Sequence, residues 1–116
     1  MSLSPVFSND IAIILERLRD RYDPQKIFLF GSAASGTTHS ESDLDFLIVK
    51  DTGEPFTQRS RNLVLKCFPD SPYHSAVDFV IYTPEEFKQA QQKGRLFIEQ
   101  VLEKGKLIYE AAGLSN

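Results

Sequence analysis

Apolar residues along the chain follow two different spacings, which divide it into helices and strands. Residues 10–22 carry a helical stripe made up of Ile11, Ile14, Leu15, Leu18 and Tyr22. Short apolar runs typical of strands lie at 26–30, 44–49, 76–82 and 106–110. Further helical segments are predicted at 55–68, 84–94 and 96–105, with a short one after residue 30. The order predicts an α/β (α+β) fold with a mixed central sheet and helices packed on it.

Polar caps and glycines indicate where several of these elements begin and end. Ser8 or Asn9 is a suitable N-cap for the first helix. Thr83, followed three residues later by Glu86, has the pattern of a capping box. Gly105 is expected to end the last helix before a short edge strand.

Length and charge limit the kinds of ligand. The chain has 116 residues and a net charge of −3, from 16 acidic and 13 basic residues. With no linker or repeat, we expect a single domain over residues 1–116. The acidic balance disfavours a long nucleic acid, because such ligands are held by a basic surface. It favours a small ligand or a protein partner.

Hydropathy and cysteine content indicate the compartment. No apolar run approaches the roughly 18 residues of a membrane span, and the first nine residues do not resemble a signal peptide. We therefore expect no membrane association and a cytoplasmic location. The single cysteine, Cys67, has apolar neighbours, which predicts a buried and unreactive thiol.

A Gly-Ser pair follows the first predicted strand directly. Gly31 allows a ligand to approach the backbone closely, and Ser32 adds a hydroxyl donor. Free amides in the turn that follows can hold a phosphate. A turn glycine with a capping serine is the alternative interpretation, since this pair is common in loops.

Two aspartates alternate at the start of the second strand. Asp43 and Asp45 point to the same face, about 7 Å apart along a strand. Two such carboxylates repel each other, and a hard divalent cation relieves the repulsion. In the alternative interpretation Asp43 caps a turn and Asp45 lies on an exposed face.

A third aspartate, Asp78, interrupts the otherwise apolar third strand. A buried charge of this kind needs a partner, because burying it unpaired is costly. An arginine and a metal ion are equally good partners on this observation alone.

Together these residues resemble the nucleotidyltransferase superfamily typified by DNA polymerase beta. The pattern is Gly31-Ser32, ten residues, then Asp43-Leu44-Asp45, with Asp78 on a later strand. The chain is most similar to the minimal nucleotidyltransferases, small prokaryotic proteins often paired with a helical HEPN protein. The resemblance covers about residues 10–110 and implies a polymerase beta-like nucleotidyltransferase fold.

The resemblance also implies a site and a reaction. Asp43, Asp45 and Asp78 are implied to be catalytic and to bind two ions, Mg²⁺ or Mn²⁺. Gly31 and Ser32 are implied to hold the triphosphate, and Asp78 to help deprotonate the attacking hydroxyl. The implied reaction moves a nucleoside monophosphate from a triphosphate, with ATP expected, onto a hydroxyl.

One loop departs from the family pattern. Many relatives have an arginine where this chain has Ser35, and a bulkier residue where it has Ala33. Without a guanidinium beside the triphosphate, a charge-assisted clamp is lost. This departure puts the activity of the site in question.

The resemblance further implies a partner protein and a biological role. Relatives with a helical HEPN partner are antitoxins that adenylylate it, so a HEPN-type partner is expected, and a homo-oligomer is also compatible. Two alternatives stay open: a module that neutralises its partner by contact, and a nucleotide sensor without turnover. The expected docking surface, unless it packs in the chain's own core, is Leu96, Phe97, Ile98, Val101, Leu102, Leu107 and Ile108.

Overall fold

The computed structural model describes residues 5–30 and 43–112, and its elements follow the predicted order. The helices within these residues are α1 (Pro5–Arg21), α2 (Phe56–Cys67), α3 (Pro84–Gln92) and α4 (Leu96–Lys104). The strands are β1 (Lys26–Phe30), β2 (Leu44–Val49), β3 (Val77–Tyr82) and β4 (Lys106–Glu110). The short helix expected after residue 30 falls outside the described residues.

The four strands form one mixed sheet in the order β3-β2-β1-β4. β1 pairs antiparallel with both β2 and β4, whereas β2 and β3 are parallel. A parallel pair needs a crossover connection, and α2 lies on the one between β2 and β3. The predicted mixed sheet with helices packed on it is therefore confirmed.

Each face of the sheet packs against a pair of helices. On one face, Ile14 and Leu18 of α1 and Leu63 of α2 form a core with Phe46 of β2. On the other face, α3 and α4 pack against the sheet. Their buried side chains and those of the strands beneath them are Phe28, Leu47, Val49, Phe87, Ala90, Ile98 and Val101. β2 is buried at all six positions, Asp45 included, as the apolar run over residues 46–49 predicts.

A buried arginine, Arg59 in α2, forms hydrogen bonds that connect the end of β3 with the start of α3. Its guanidinium donates to both carboxylate oxygens of Glu86, at 2.6 and 3.2 Å, and to the carbonyls of Ile81 and Glu54. Glu86 also accepts from the amide of Thr83, completing the predicted capping box. The hydrogen bond from Arg59 holds the pKa of Glu86 below its ordinary value, because it favours the ionised form.

The beginning of α1 differs from the prediction. The helix begins at Pro5, so Ser8 and Asn9 lie inside it rather than at its cap. Phe7 packs against the core one turn before Ile11, and it extends the apolar stripe towards the N-terminus. The apolar residues of α2 suggest that Phe56, like Leu63 and Cys67, lies on its buried face, but Phe56 is 52% exposed at the first position of the helix, so that expectation is wrong.

Two other expectations concern the surface and the cysteine. Ile98 and Val101 are buried in the chain's own core and Ile108 packs against it, so these three do not belong to a free docking surface. Cys67 is buried, and burial raises the pKa of its thiol, as expected for an unreactive cysteine. No helix among residues 5–30 and 43–112 is long and apolar enough to cross a membrane.

Candidate functional site

Two of the three predicted aspartates are direct neighbours across the parallel strands. Asp45 of β2 is in register with Asp78 of β3, and paired strands lie about 4.8 Å apart. Phe46 of β2 and Phe79 of β3 both pack into the core beneath α1 and α2. Because side chains alternate along a strand, Asp45 and Asp78 both point to the opposite face.

The two carboxylates differ in their exposure. Asp45 is 9% exposed, within a strand whose other five residues are buried, whereas Asp78 is exposed near the start of β3. On its other side Asp45 pairs with Phe30, the last residue of β1. Gly31 and Ser32 follow Phe30 in the sequence but lie outside the described residues. Because Asp45 is buried, the interpretation that places it on an exposed face is wrong.

Asp43 is hydrogen-bonded to Ala76, the residue that precedes β3. Its amide donates to the carbonyl of Ala76 at 2.9 Å, and its Oδ2 accepts from the Ala76 amide at 3.3 Å. The amide of Leu44 donates to the same carbonyl at 3.1 Å. Asp43 thus lies two residues before Asp45, with its carboxylate hydrogen-bonded to the backbone at the start of β3.

If an arginine balanced the charge of Asp78, it should form an ion pair with it in the structure. Arg17 pairs with Asp70, and Arg59 pairs with Glu86. In the part of the chain that the structure describes, Asp78 forms no salt bridge. A structural arginine therefore does not account for the charge on β3.

The donor atoms at this edge of the sheet fit a hard divalent cation. Asp43, Asp45 and Asp78 offer only carboxylate oxygens, the ligands that Mg²⁺ and Mn²⁺ prefer. Like charges directly opposite each other on paired strands are unfavourable, and a bound divalent cation would offset that cost. Across residues 5–30 and 43–112, however, no three acidic, histidine or cysteine side chains are already grouped as a metal site.

One residue near the site, Asp10 of α1, was missed by the sequence analysis. It is fully buried and accepts hydrogen bonds from His74 and Ser75, just before β3. The sequence does indicate that Asp10 is buried, since Asp10, Ile14 and Leu18 recur every four residues on one face of the helix. A carboxylate on a buried stripe is rarely tolerated without partners.

Comparison with known proteins assigns the family. Residues 11–68, half of the chain, match the nucleotidyltransferase domain family. This chain belongs to that family. The matched segment contains Gly31, Ser32, Asp43 and Asp45, and it ends before Asp78. No curated protein matches the sequence.

A structural relative extends the similarity beyond that segment. It is a chain in a crystal structure of a toxin–antitoxin with AMP-PNP, at 26% sequence identity and a TM-score of 0.54. The similarity covers 87% of this chain and 73% of that one. The resemblance to the minimal nucleotidyltransferases is confirmed. Members of this nucleotidyltransferase family generally use divalent metals and nucleoside triphosphates.

Proposed function

We propose that this nucleotidyltransferase, acting as one domain over residues 1–116, moves AMP from ATP onto a hydroxyl of a partner protein and serves as an antitoxin. The observation that carries the proposal is the register pairing of Asp45 with Asp78 on one sheet face. Asp43 lies two residues away, and the Gly31-Ser32 pair directly follows the strand beside Asp45. AMP-PNP in the related toxin–antitoxin structure supports an adenine nucleotide.

Each residue has a role in the proposed reaction. Gly31 and Ser32 hold the triphosphate, while Asp43, Asp45 and Asp78 supply oxygen ligands for two divalent ions. Asp78 accepts the proton of the acceptor hydroxyl. The hydroxyl oxygen then bonds to the α-phosphorus, and the bond from that phosphorus to pyrophosphate breaks. When bound, Mg²⁺ or Mn²⁺ lowers the pKa of the hydroxyl and neutralises charge on the pyrophosphate.

The burial of Asp45 suits this role. Asp45 is only 9% exposed, so ligands that it holds interact in a partly dehydrated environment. Electrostatic interactions are stronger there than in bulk water. Asp78 is exposed, which leaves it accessible to a hydroxyl brought by another protein. The difference in exposure thus separates a metal-holding carboxylate from one that also meets the acceptor.

The proposed partner is a helical protein of the HEPN type. The related crystal structure is a toxin–antitoxin, which supports a protein partner. Four apolar residues of α4 and β4 are exposed enough to contact it, and we call them the C-terminal apolar surface: Leu96, Phe97, Leu102 and Leu107. Their exposed fractions range from 37% to 69%, whereas Ile98 and Val101 between them are buried.

A second candidate is a module that neutralises its partner by contact, without catalysis. Two observations favour it: Ser35 stands where many relatives have arginine, and the carboxylate of Asp43 is hydrogen-bonded to Ala76. A nucleotide sensor without turnover is the third candidate. The three functions predict different fates for the partner and for the nucleotide.

Labelled ATP separates these functions. With Mg²⁺ and the helical partner, α-phosphorus-labelled ATP is expected to label the partner, and γ-labelled ATP is not. The partner should gain the mass of one AMP per modified hydroxyl. An ATP analogue with a methylene between the α- and β-phosphorus is the control, because the bond to be broken is blocked. A partner that is neutralised without label supports the contact module; bound nucleotide without labelling or neutralisation supports the sensor.

Ser35→Arg tests whether the missing guanidinium limits nucleotide binding. The variant is expected to bind the α,β-methylene analogue more tightly by about 1.5–3 kcal/mol, the scale of a charge-assisted hydrogen bond. Titration calorimetry with Mg²⁺ measures the change, and Ser35→Gln is the matched control without the charge. Equal or weaker binding by the arginine variant would show that another basic residue already fills this role.

A further inference from the structure

Asp10 of α1 carries a carboxylate that is completely buried. Its Oδ2 accepts from the hydroxyl of Ser75 at 2.6 Å and from the Ser75 amide at 2.8 Å. The amide of His74 lies 3.2 and 3.1 Å from its two oxygens. One side chain of the first helix therefore holds the backbone of the segment leading into β3.

The charge state of Asp10 is consistent with this arrangement. Burial by itself raises the pKa of the carboxyl, but the hydrogen bonds from Ser75 and His74 outweigh burial and leave the pKa below its ordinary value. An ionised acceptor makes stronger hydrogen bonds than a neutral one. Asp10 is thus an anionic anchor for residues 74 and 75 at neutral pH.

The anchored segment continues directly into the candidate site. Ala76 follows Ser75, and it exchanges hydrogen bonds with Asp43 in both directions. Asp78 lies two residues beyond Ala76, on β3. Ala76 therefore connects Asp43, just before β2, with Asp78 on β3, and Asp10 fixes Ser75, the residue immediately before Ala76.

We propose that Asp10 is a positioning residue for the carboxylate site. It fixes residues 74 and 75, and through Ala76 it sets the orientation of Asp43 and its separation from Asp78. The inference rests on the proposed function, in which these aspartates bind divalent ions. Asp10 itself touches neither the ions nor the nucleotide.

The substitution Asp10→Asn is expected to weaken the attachment of α1 to residues 74 and 75. Asp10→Asn replaces an anion that accepts from three donors by an amide with one acceptor oxygen. Loss of the charge weakens the three hydrogen bonds that Oδ2 accepts, and the new NH₂ group faces the amide of His74, a donor against a donor. Both changes favour a displaced backbone at residues 74 and 75. Displacement passes to Ala76, whose amide and carbonyl both bind Asp43. Partners that orient metal ligands typically change metal affinity by 10–100-fold when replaced.

Two variants and one control test the inference. In Asp10→Asn we expect the affinity for Mn²⁺ with the α,β-methylene ATP analogue, measured by electron paramagnetic resonance, to fall about tenfold or more. Ser75→Ala removes one hydroxyl donor and leaves the backbone contacts, so a smaller loss is expected in a protein that folds readily. Arg17→Gln is the control, because Arg17 lies on the same helix but contacts Cys67 and Asp70 instead.

Amide hydrogen exchange supplies a second measurement that needs no ligand. The amides of Asp43 and Leu44 both donate to the carbonyl of Ala76, so both should exchange faster in Asp10→Asn than in Arg17→Gln. Unchanged exchange at these two amides, or Mn²⁺ affinities in Asp10→Asn and Ser75→Ala equal to the control, would overturn the inference. If native protein fails to bind Mn²⁺ with nucleotide, the proposed function is wrong, and the exchange data alone decide the role of Asp10.

Discussion

The Asp45→Asn protein is expected to transfer AMP at least about a thousandfold more slowly than the native protein, while remaining folded. Asp45 is the least exposed of the three carboxylates and stands in register with Asp78. Asparagine keeps its shape but removes the charge that a divalent ion requires. Metal-ion catalysis supplies several kcal/mol, and each 1.36 kcal/mol corresponds to a factor of ten in rate. Transfer is measured with α-labelled ATP and the helical partner.

A control separates this effect from a general change in charge. Asp51→Asn removes a negative charge from an exposed residue just beyond the opposite end of β2, and it should transfer AMP at the native rate. Native protein should also gain thermal stability from Mg²⁺ with nucleotide, by roughly 2.7 kcal/mol at a hundred times the dissociation constant. Asp45→Asn should lose the metal-dependent part of this gain. Native turnover in Asp45→Asn would show that Asp45 is not a metal ligand.

The second large effect concerns stability rather than chemistry. Arg59→Met is expected to destabilise the protein by about 3 kcal/mol, because it removes a buried guanidinium that contacts Glu86, Ile81 and Glu54. Glu86 is 42% exposed on its side chain, so solvent screens the pair and the lower end of the usual range applies. Urea unfolding measures the change. Arg61→Met, on the same helix but exposed, should cost less than about 0.5 kcal/mol.

The same ion pair predicts a dependence on pH. The pKa of Glu86 is lowered from 4.5, so the pair stabilises the fold above pH 4.5, and this contribution is lost as the pH falls through the lower, folded-state pKa. The difference in unfolding free energy between native protein and Arg59→Met should therefore shrink below pH 4.5. A difference that stays constant down to acid unfolding would mean that the lost contacts to the carbonyls, rather than the charge pair, carry the effect.

The two central strands were predictable because their apolar residues follow one another almost without interruption. The apolar runs at 26–30 and 44–49 coincide with β1 and β2, and Thr83 begins α3 through its own side chain. The start of α1 was misplaced for a tertiary reason. Ser8 and Asn9 suit a cap locally, but the contact of Phe7 with the core favours a longer helix.

The site was predictable only in part. Alternation along a strand predicts that Asp43 and Asp45 share a side, but no local pattern gives the register between β2 and β3. That register sets Asp45 beside Asp78, across two strands joined by a crossover that contains α2. The role of Asp10 depends on contacts with residues more than sixty positions away, which a helical stripe alone cannot specify.

The pairing of β1 with β4 has a consequence for synthesis of the chain. β1 lies inside the sheet, yet one of its two neighbours is β4, which includes Glu110 opposite Lys26. Until residues 106–110 leave the ribosome, the β4-facing edge of β1 has no strand to pair with. An unpaired strand edge with apolar side chains favours association between nascent chains. Emergence of β4 from the ribosome is therefore the step that ends this vulnerability, and a ribosome stalled before codon 106 would prolong it.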